Sequence, residues 1–406
     1  QHGAVCLDAE DRVLRPAILW NDGRAFVHCA ELVDLLPEGP ELAGSVPMAG
    51  FTAPKLLWMA QHEPELRGKV AKVLLPKDYV RFRLTGEYAS DMSDASGTYW
   101  LDIAKRDWSD ELLSIAGLSR AEMPRLVEGS EDSGHLRAAL AVEWGIDGPV
   151  AVAGGGGDNA AAACGVGVVG DGAAFVSIGT SGVLFASNDR YRPNTGLAMH
   201  AFCQALPQTW HQMGVVLSAA DSLEWLSRIT GRPTPEMVAE IGEVSAPSQV
   251  QFLPYLSGER TPVNDADARG VFAGLAQAHG VADLTQAVLE GVAYAFGDCQ
   301  SALMGAGTEY DSALAVGGGA QSDLWLTIIA SVLDRPLEVP ADAAVGAALG
   351  AARLAICAAE GADPGQICTK TAIAKVIEPD AALVPQYAEA QARYRRLYPA
   401  FREASS

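Results

Sequence analysis

The chain has 406 residues, 49% of them hydrophobic and 19% charged, with a formal net charge of −21. That length suits roughly two or three domains, and the apolar content supports a buried core rather than disorder. The acidic balance argues against a nucleic-acid or acidic-membrane partner, yet leaves a phosphate-bearing ligand open, because backbone amides and helix N-termini hold phosphate without a basic patch. No apolar run reaches membrane length without glycines or a charge. Seven scattered cysteines with no CxxC pair argue against a disulfide framework or a zinc site. A reducing cytoplasm is therefore expected, and no residue is singled out as a metal ligand.

In chain order, "AVCLDAEDRVLRPAILW" alternates around "AEDR" and predicts a β-hairpin. A helix over 23–36 follows. "TAPKLLWMAQHEP" predicts a short helix with Thr52 as N-cap and Pro64 as its stop. "KVLLPKDYVRFRLTGEYAS" gives strand, helix and glycine exit, and "DMSDASGTYWLD" a polar loop. The strand "PVAVAGGGGD" leads into an alanine-rich helix, and "GVGVVGDG" reads as a linker. Strand, tight turn and strand come next, then the long helix "LTQAVLEGVAYAFGDCQSALM". "SALAVGGGAQSDLWLTIIASVLDRPLEVP" reads as strand, glycine turn, helix, strand, and "DAAVGAALGAARLAICAAEG" as a small-residue helix. Tyr387, Tyr394, Tyr398 and Phe401 mark one packing face of a last helix. Each half holds a β-rich part and a strand–glycine–helix part. An α/β protein of two related lobes is expected, 1–170 and 171–406.

"GVGVVG" (Gly165–Gly170) matches GxGxxG but follows a helix and precedes a strand, the reverse of a dinucleotide site, and no GxxxxGK[ST] is present. "SIGTSG" (Ser177–Gly182) is a plain hairpin turn, or a phosphate grip using the amides of Gly179, Thr180 and Ser181 and the Thr180 hydroxyl. "VGGGAQSD" (Val316–Asp323) is a tight strand–helix turn, or a place where a flat ligand lies against backbone. Asp158 is a helix N-cap, or a general base for phosphoryl transfer. One cap does not need the four glycines before it, which point to a close approach to the backbone.

As an ordered set these motifs resemble the FGGY carbohydrate kinases, and within them the bacterial pentulose kinases. "GFTAPKLLWMAQH" and "GVFAGLAQAHGVADLTQAVLE" resemble the two family signatures; "PAILWNDGR", "GGGGDNAA", "SIGTSG", "LPYLSGERTP" and "GGGAQSDLW" stand in family order. The resemblance implies two actin-like (ribonuclease H-like) ATPase lobes around a cleft. The implied reaction transfers a phosphoryl group from ATP, with Mg2+, to the 5-hydroxyl of D-xylulose. It implies Asp158 as base; His2, Trp20, Asp22 and Asn159 as sugar contacts; Gly179 and Thr180 as phosphate turn; and Gly318, Gly319 and Asp323 as adenosine site. A homodimer is an expectation of the same kind. The family's opening strand and DxGT loop are not in the sequence, and "QHG" stands where the family has "QMHG". A first lobe incomplete at its N-terminus is therefore expected. The alternatives are a kinase for ribulose, glycerol or gluconate, or an inactive sugar- or nucleotide-binding protein.

Overall fold

The computed structural model describes residues 2–342 and 346–405. The second half is built on a seven-stranded mixed sheet. Its strands are β3 (Ala174–Ile178), β4 (Gly182–Asn188), β5 (His200–Cys203), β6 (Trp210–Val216), β7 (Ala313–Val316), β8 (Leu337–Pro340) and β9 (Ile373–Ile377), in the order β5-β6-β4-β3-β7-β8-β9. Strands β3 and β4 form the antiparallel hairpin, with Gly182 opposite Ile178. Strand β7 runs parallel to β3, with Val316 opposite Ser177.

Side chains alternate across a strand, and this sheet is covered on both faces. Val176, Ile178, Leu184 and Ala186 join one core cluster, which also contains Val292 and Phe296 of the long helix and Ile329. Phe175 and Phe185 point the other way, into a cluster with Ala163 and Val166. The helices involved are α3 (Asp158–Val166), α5 (Val281–Gly305) and α6 (Asp323–Leu333).

The first half is built from short strand pairs. Strand β1 (Val5–Leu7) pairs antiparallel with β2 (Lys72–Leu74). The expected hairpin partner of β1 survives as single bridges, Leu7 to Val13 and Ala4 to Ile18. The helix expected over 23–36 is a 3-10 turn at Gly23–Ala25 followed by a helix at Val27–Leu35. Helix α1 (Thr52–His62) begins one residue earlier than expected. Phe51 is its N-cap residue, and the Thr52 hydroxyl donates instead to the His2 carbonyl at 3.1 Å. Helix α1 ends at His62, and Pro64 opens another helical turn. Leu56, Met59, Tyr99, Trp100 and Leu112 form the core here, and Phe202, Cys203 and Trp210 reach into it from the second half.

Part of the expected linker is helical. Gly165 and Val166 close α3, and left-handed Gly167 ends it at φ 76°. Helix α3 crosses α7 (Ala347–Glu360) with almost no space between backbones. A Cβ built on Gly350 would lie 1.7 Å from the Ala161 carbonyl oxygen, and one on Gly165 would lie 2.0 Å from that of Gly346. Arg353 ties the crossing by donating to the carbonyls of Cys164, Gly165 and Thr369 at 2.8–2.9 Å. No helix among the described residues is long and apolar enough to cross a membrane.

Candidate active site

The glycine run at 154–157 owes its composition mainly to the chain's own packing. A Cβ on Gly154 would lie 2.1 Å from the Glu128 carbonyl oxygen, and Gly155 is left-handed at φ 75°. A Cβ on Gly156 would lie 3.2 Å from Ala205 Cβ. Gly157 faces the polar side, where its Cβ would stand 3.5 Å from Asp94 Oδ1. The loop is tied at both ends. Arg81 Nη2 donates to the Gly154 carbonyl, and the Gly157 amide donates to Ser93 Oγ at 3.0 Å.

These ties originate in a buried charge cluster on α2 (Pro76–Thr85) and the polar segment after it. Lys77 Nζ lies 2.6 Å from Asp78 Oδ1, 2.7 Å from Asp91 Oδ1 and 3.7 Å from Asp94 Oδ2. Arg81 pairs with Asp78 at 2.8 Å, and Ser90 Oγ donates to the other Asp78 oxygen at 2.6 Å. Burial pulls the Lys77 ammonium down, but Asp78 and Asp91 outweigh it and its pKa is raised. Buried charges persist only when paired in this way. Asp91 caps the next turn by accepting from the amides of Ser93 and Asp94 at 2.9 and 3.1 Å.

Asp94 reaches His2, whose Nε2 lies 3.3 Å from Asp94 Oδ1. Burial pushes the Asp94 carboxyl up, but His2 and Lys77 outweigh it and hold it below its ordinary value. The His2 ring approaches Asp94 without an aligned hydrogen bond, since neither Asp94 oxygen has a hydrogen-bond partner among the described residues. The segment 49–51 is caged by Lys55, whose Nζ donates to the carbonyls of Ala49, Gly50 and Phe51 at 2.9, 2.5 and 2.7 Å. Burial pulls Lys55 down to about 7.

The structure therefore brings His2 onto the polar cluster, and Gly157, which lies against Asp94, leads directly into Asp158 and Asn159. Asp158 is the first residue of α3 and not its cap, which is Gly157. Its exposed carboxylate accepts from the Asn159 amide at 2.8 Å and from Asn159 Nδ2 at 3.2 Å. Trp20 and Asp22 are not drawn into the cluster. The Trp20 side chain is 63% exposed. Asp22 caps the turn at Gly23–Ala25, and the Arg24 guanidinium forks onto it at 2.7–2.9 Å, holding its carboxyl below the ordinary value.

In the second half the two glycine turns stand side by side. A Cβ on Gly319 would lie 2.3 Å from Ile178 Cγ2, in the strand that delivers Gly179, whereas one on Gly318 would meet nothing within 4 Å. The Gly179 amide, expected to face a phosphate, is spent on the Ser181 carbonyl at 3.1 Å. The Gly179 and Thr180 carbonyls accept from the N-terminus of α4 (Ala220–Thr230). Exposed Thr180 and Ser181 remain at the tip. Asp323 opens α6 behind the Ser322 cap, and Lys375 pairs with its carboxylate.

Two family models match the chain: the N-terminal domain of the FGGY family of carbohydrate kinases over residues 1–165, and the C-terminal domain over 174–359. The chain belongs to the FGGY family of carbohydrate kinases. This FGGY kinase is 48% identical over 403 residues to the xylulose kinase of Escherichia coli strain K12, covering 98% of this chain and 82% of that one. It is similar to the crystal structure of a xyloylose kinase from Brucella ovis, with 56% identity and a TM-score of 0.97, covering 100% of this chain and 84% of that one. A Plasmodium falciparum glycerol kinase with ADP, 19% identical, shares the fold with a TM-score of 0.86 over 98% of this chain and 81% of that one. The two-lobed FGGY kinase fold expected from the motifs is the one observed. Carbohydrate kinases of this family use ATP.

Proposed function

We propose that this kinase transfers the terminal phosphoryl group of ATP to the 5-hydroxyl of D-xylulose. The observation that carries the mechanism is Asp158. It stands at the start of α3 with its carboxylate exposed and hydrogen-bonded to Asn159, directly after a loop held by Arg81 at one end and by the Ser93 hydroxyl at the other. Such a carboxylate suits a general base for a hydroxyl proton. The names of the relatives support the choice of sugar.

Residues 1–170 supply the sugar side. His2 and Asn159 hold sugar hydroxyls, Trp20 and Asp22 stand at the outer edge of that pocket, and Asp158 takes the proton as the hydroxyl attacks. Residues 171–406 supply the nucleotide side, through Gly179, Thr180, Gly318, Gly319 and Asp323. Gly318 fits an adenosine contact best, because a side chain is absent where open space begins. Gly319 serves packing, and Asp323 must exchange Lys375 to reach a ligand. No group of three His, Cys, Asp or Glu side chains among the described residues is arranged to hold a metal. Mg2+ enters as MgATP, since this ion is usually bound through substrate phosphates and water with few protein ligands. The reaction belongs to a reducing cytoplasm, which suits the seven free thiols.

The test is ADP release with D-xylulose, ribulose, xylitol, glycerol and gluconate, with phosphorus NMR of the product. D-xylulose should give the highest kcat/KM and a 5-phosphate. A higher kcat/KM for glycerol or gluconate would overturn the assignment of the sugar.

A further inference from the structure

A second cavity lies between the two halves, of about 760 Å³. Asn21, Cys29 and Met48 line it from the first half; Glu259, Arg260 and Asn264 line it from the second. Neither Asp158 nor either glycine turn of the nucleotide side belongs to its wall. Glu259 is 2% exposed. Its Oε1 accepts from the amides of Leu217 and Arg260 at 2.8 and 2.7 Å, while Oε2 has no partner among the described residues.

Arg260 follows with its guanidinium against Met48 Sδ. A thioether cannot neutralise a cation, and the acidic group acting on Arg260 is the neighbouring Glu259 carboxyl, which burial tends to keep protonated. On the first half, by contrast, Arg15 pairs with Glu63, Arg24 with Asp22 and Arg81 with Asp78. The half-buried Arg260 side chain faces the cavity; an anion there would give its guanidinium a full counter-charge, and its planar fork fits phosphate oxygens.

We propose that this cavity is an anion site for a phosphate group, held between the Arg260 guanidinium and the Glu259 carboxyl. Burial pushes Glu259 up to about 8. Arg260 opposes that rise and Asp298 adds to it. Tyr255, Tyr394 and Cys299 also face Glu259, and each has its own pKa raised, so they bring no charge at neutral pH. At pH 7 Oε2–H is then a donor towards the anion, where a carboxylate would repel it. The phosphate can come from free phosphate or from a sugar phosphate; the second source rests on the proposed function, the site itself does not.

The experiment titrates inorganic phosphate and D-xylulose 5-phosphate separately into the intact chain by calorimetry at pH 7. A saturating non-hydrolysable ATP analogue keeps the nucleotide side filled. Saturable binding of one equivalent is expected, weakened about tenfold or more by Arg260→Gln and largely restored by Arg260→Lys. A preference for the sugar phosphate identifies that source; equal affinity identifies free phosphate. Sulfate, whose charge is constant, serves for the pH series. Its affinity should fall in the wild type between pH 7 and 9 and stay level in Glu259→Gln, which keeps a donor. Absence of saturable binding, or unchanged binding in folded Arg260→Gln, overturns the proposal. If Arg260→Gln does not fold, the Glu259→Gln series decides, and a pH dependence equal to wild type overturns it.

Discussion

His2 Nε2 and Asp94 Oδ1 lie 3.3 Å apart, and the room for that contact comes from Gly97, where a Cβ would sit 2.1 Å from Nε2. The imidazole is wedged between Gly97 and the Phe51 ring, whose centroid is 5.7 Å away. Asp94→Asn keeps the shape and removes the charge. It should raise the sugar KM about tenfold, equivalent to about 1.4 kcal/mol, and leave the ATP KM within about twofold. Combined with His2→Ala it should add little, because the two side chains act as one unit. Steady-state kinetics with each substrate varied, and the double-mutant cycle, check this.

Asp158→Asn should cut kcat by roughly 10²–10⁴-fold, the usual contribution of a general base, while calorimetric sugar affinity stays near wild type. Asparagine retains the contact with Asn159 but cannot take the proton. A rate within about threefold of wild type would reduce Asp158 to a residue at a helix terminus.

Gly318→Val and Gly319→Val should separate ligand contact from packing. Gly318 opens onto free space, so its variant should fold and lose ATP affinity with sugar affinity retained. Gly319 is closed off by Ile178 Cγ2, so its variant should lose stability, by about 1–3 kcal/mol if the core can shift. Thermal unfolding and nucleotide titration distinguish the two.

Glu290 predicts a pH signature of stability. It is buried in α5, accepts from the Ser248 amide, from Gln286 and from the hydroxyls of Tyr294 and Tyr387, and burial raises it to about 7. A carboxyl whose folded value exceeds its unfolded value stabilises the fold fully below the unfolded value. That contribution is lost as pH rises through the folded one. Wild type should therefore lose on the order of 3 kcal/mol between about pH 4.5 and 7 from this group. Glu290→Gln should show a smaller slope across that window in urea denaturation.

The motifs that could be read in the sequence were those whose meaning is local. The hairpin at Ser177–Gly182 and the turn before α6 follow from glycine placement between apolar alternation, and both are present. The cause of the run at 154–157 was not local: Glu128 and Ala205, distant in sequence, come up against it. Asp91 and Asp94 belong to a segment that reads as a polar loop and Lys77 to one that reads as a helix, and charged residues are normally exposed. Their burial depends on α2 packing beside the glycine loop, although the three-residue spacing of Asp91 and Asp94 is a signal that a turn was being capped. Asp22 and Asp323 each sit where the motif puts them, but the ion pairs with Arg24 and Lys375 could not be foreseen from the motif alone.

The crossing of α3 and α7 locks backbone against backbone, as a fulcrum would. Ala161, pressed against Gly350, stands three residues from Asp158, and at 1.5 Å of rise per residue that is a lever arm of about 4.5 Å. Were the two halves to swing by about 10° around this contact, the Asp158 backbone would travel under about 1 Å, while groups on the outer strands would sweep several times farther. Asp158, the proposed proton acceptor, would thus ride at the axle rather than the rim. Opening to admit a sugar and closing to exclude water can be large at the mouth of the cleft while leaving the aim of the carboxylate almost unchanged.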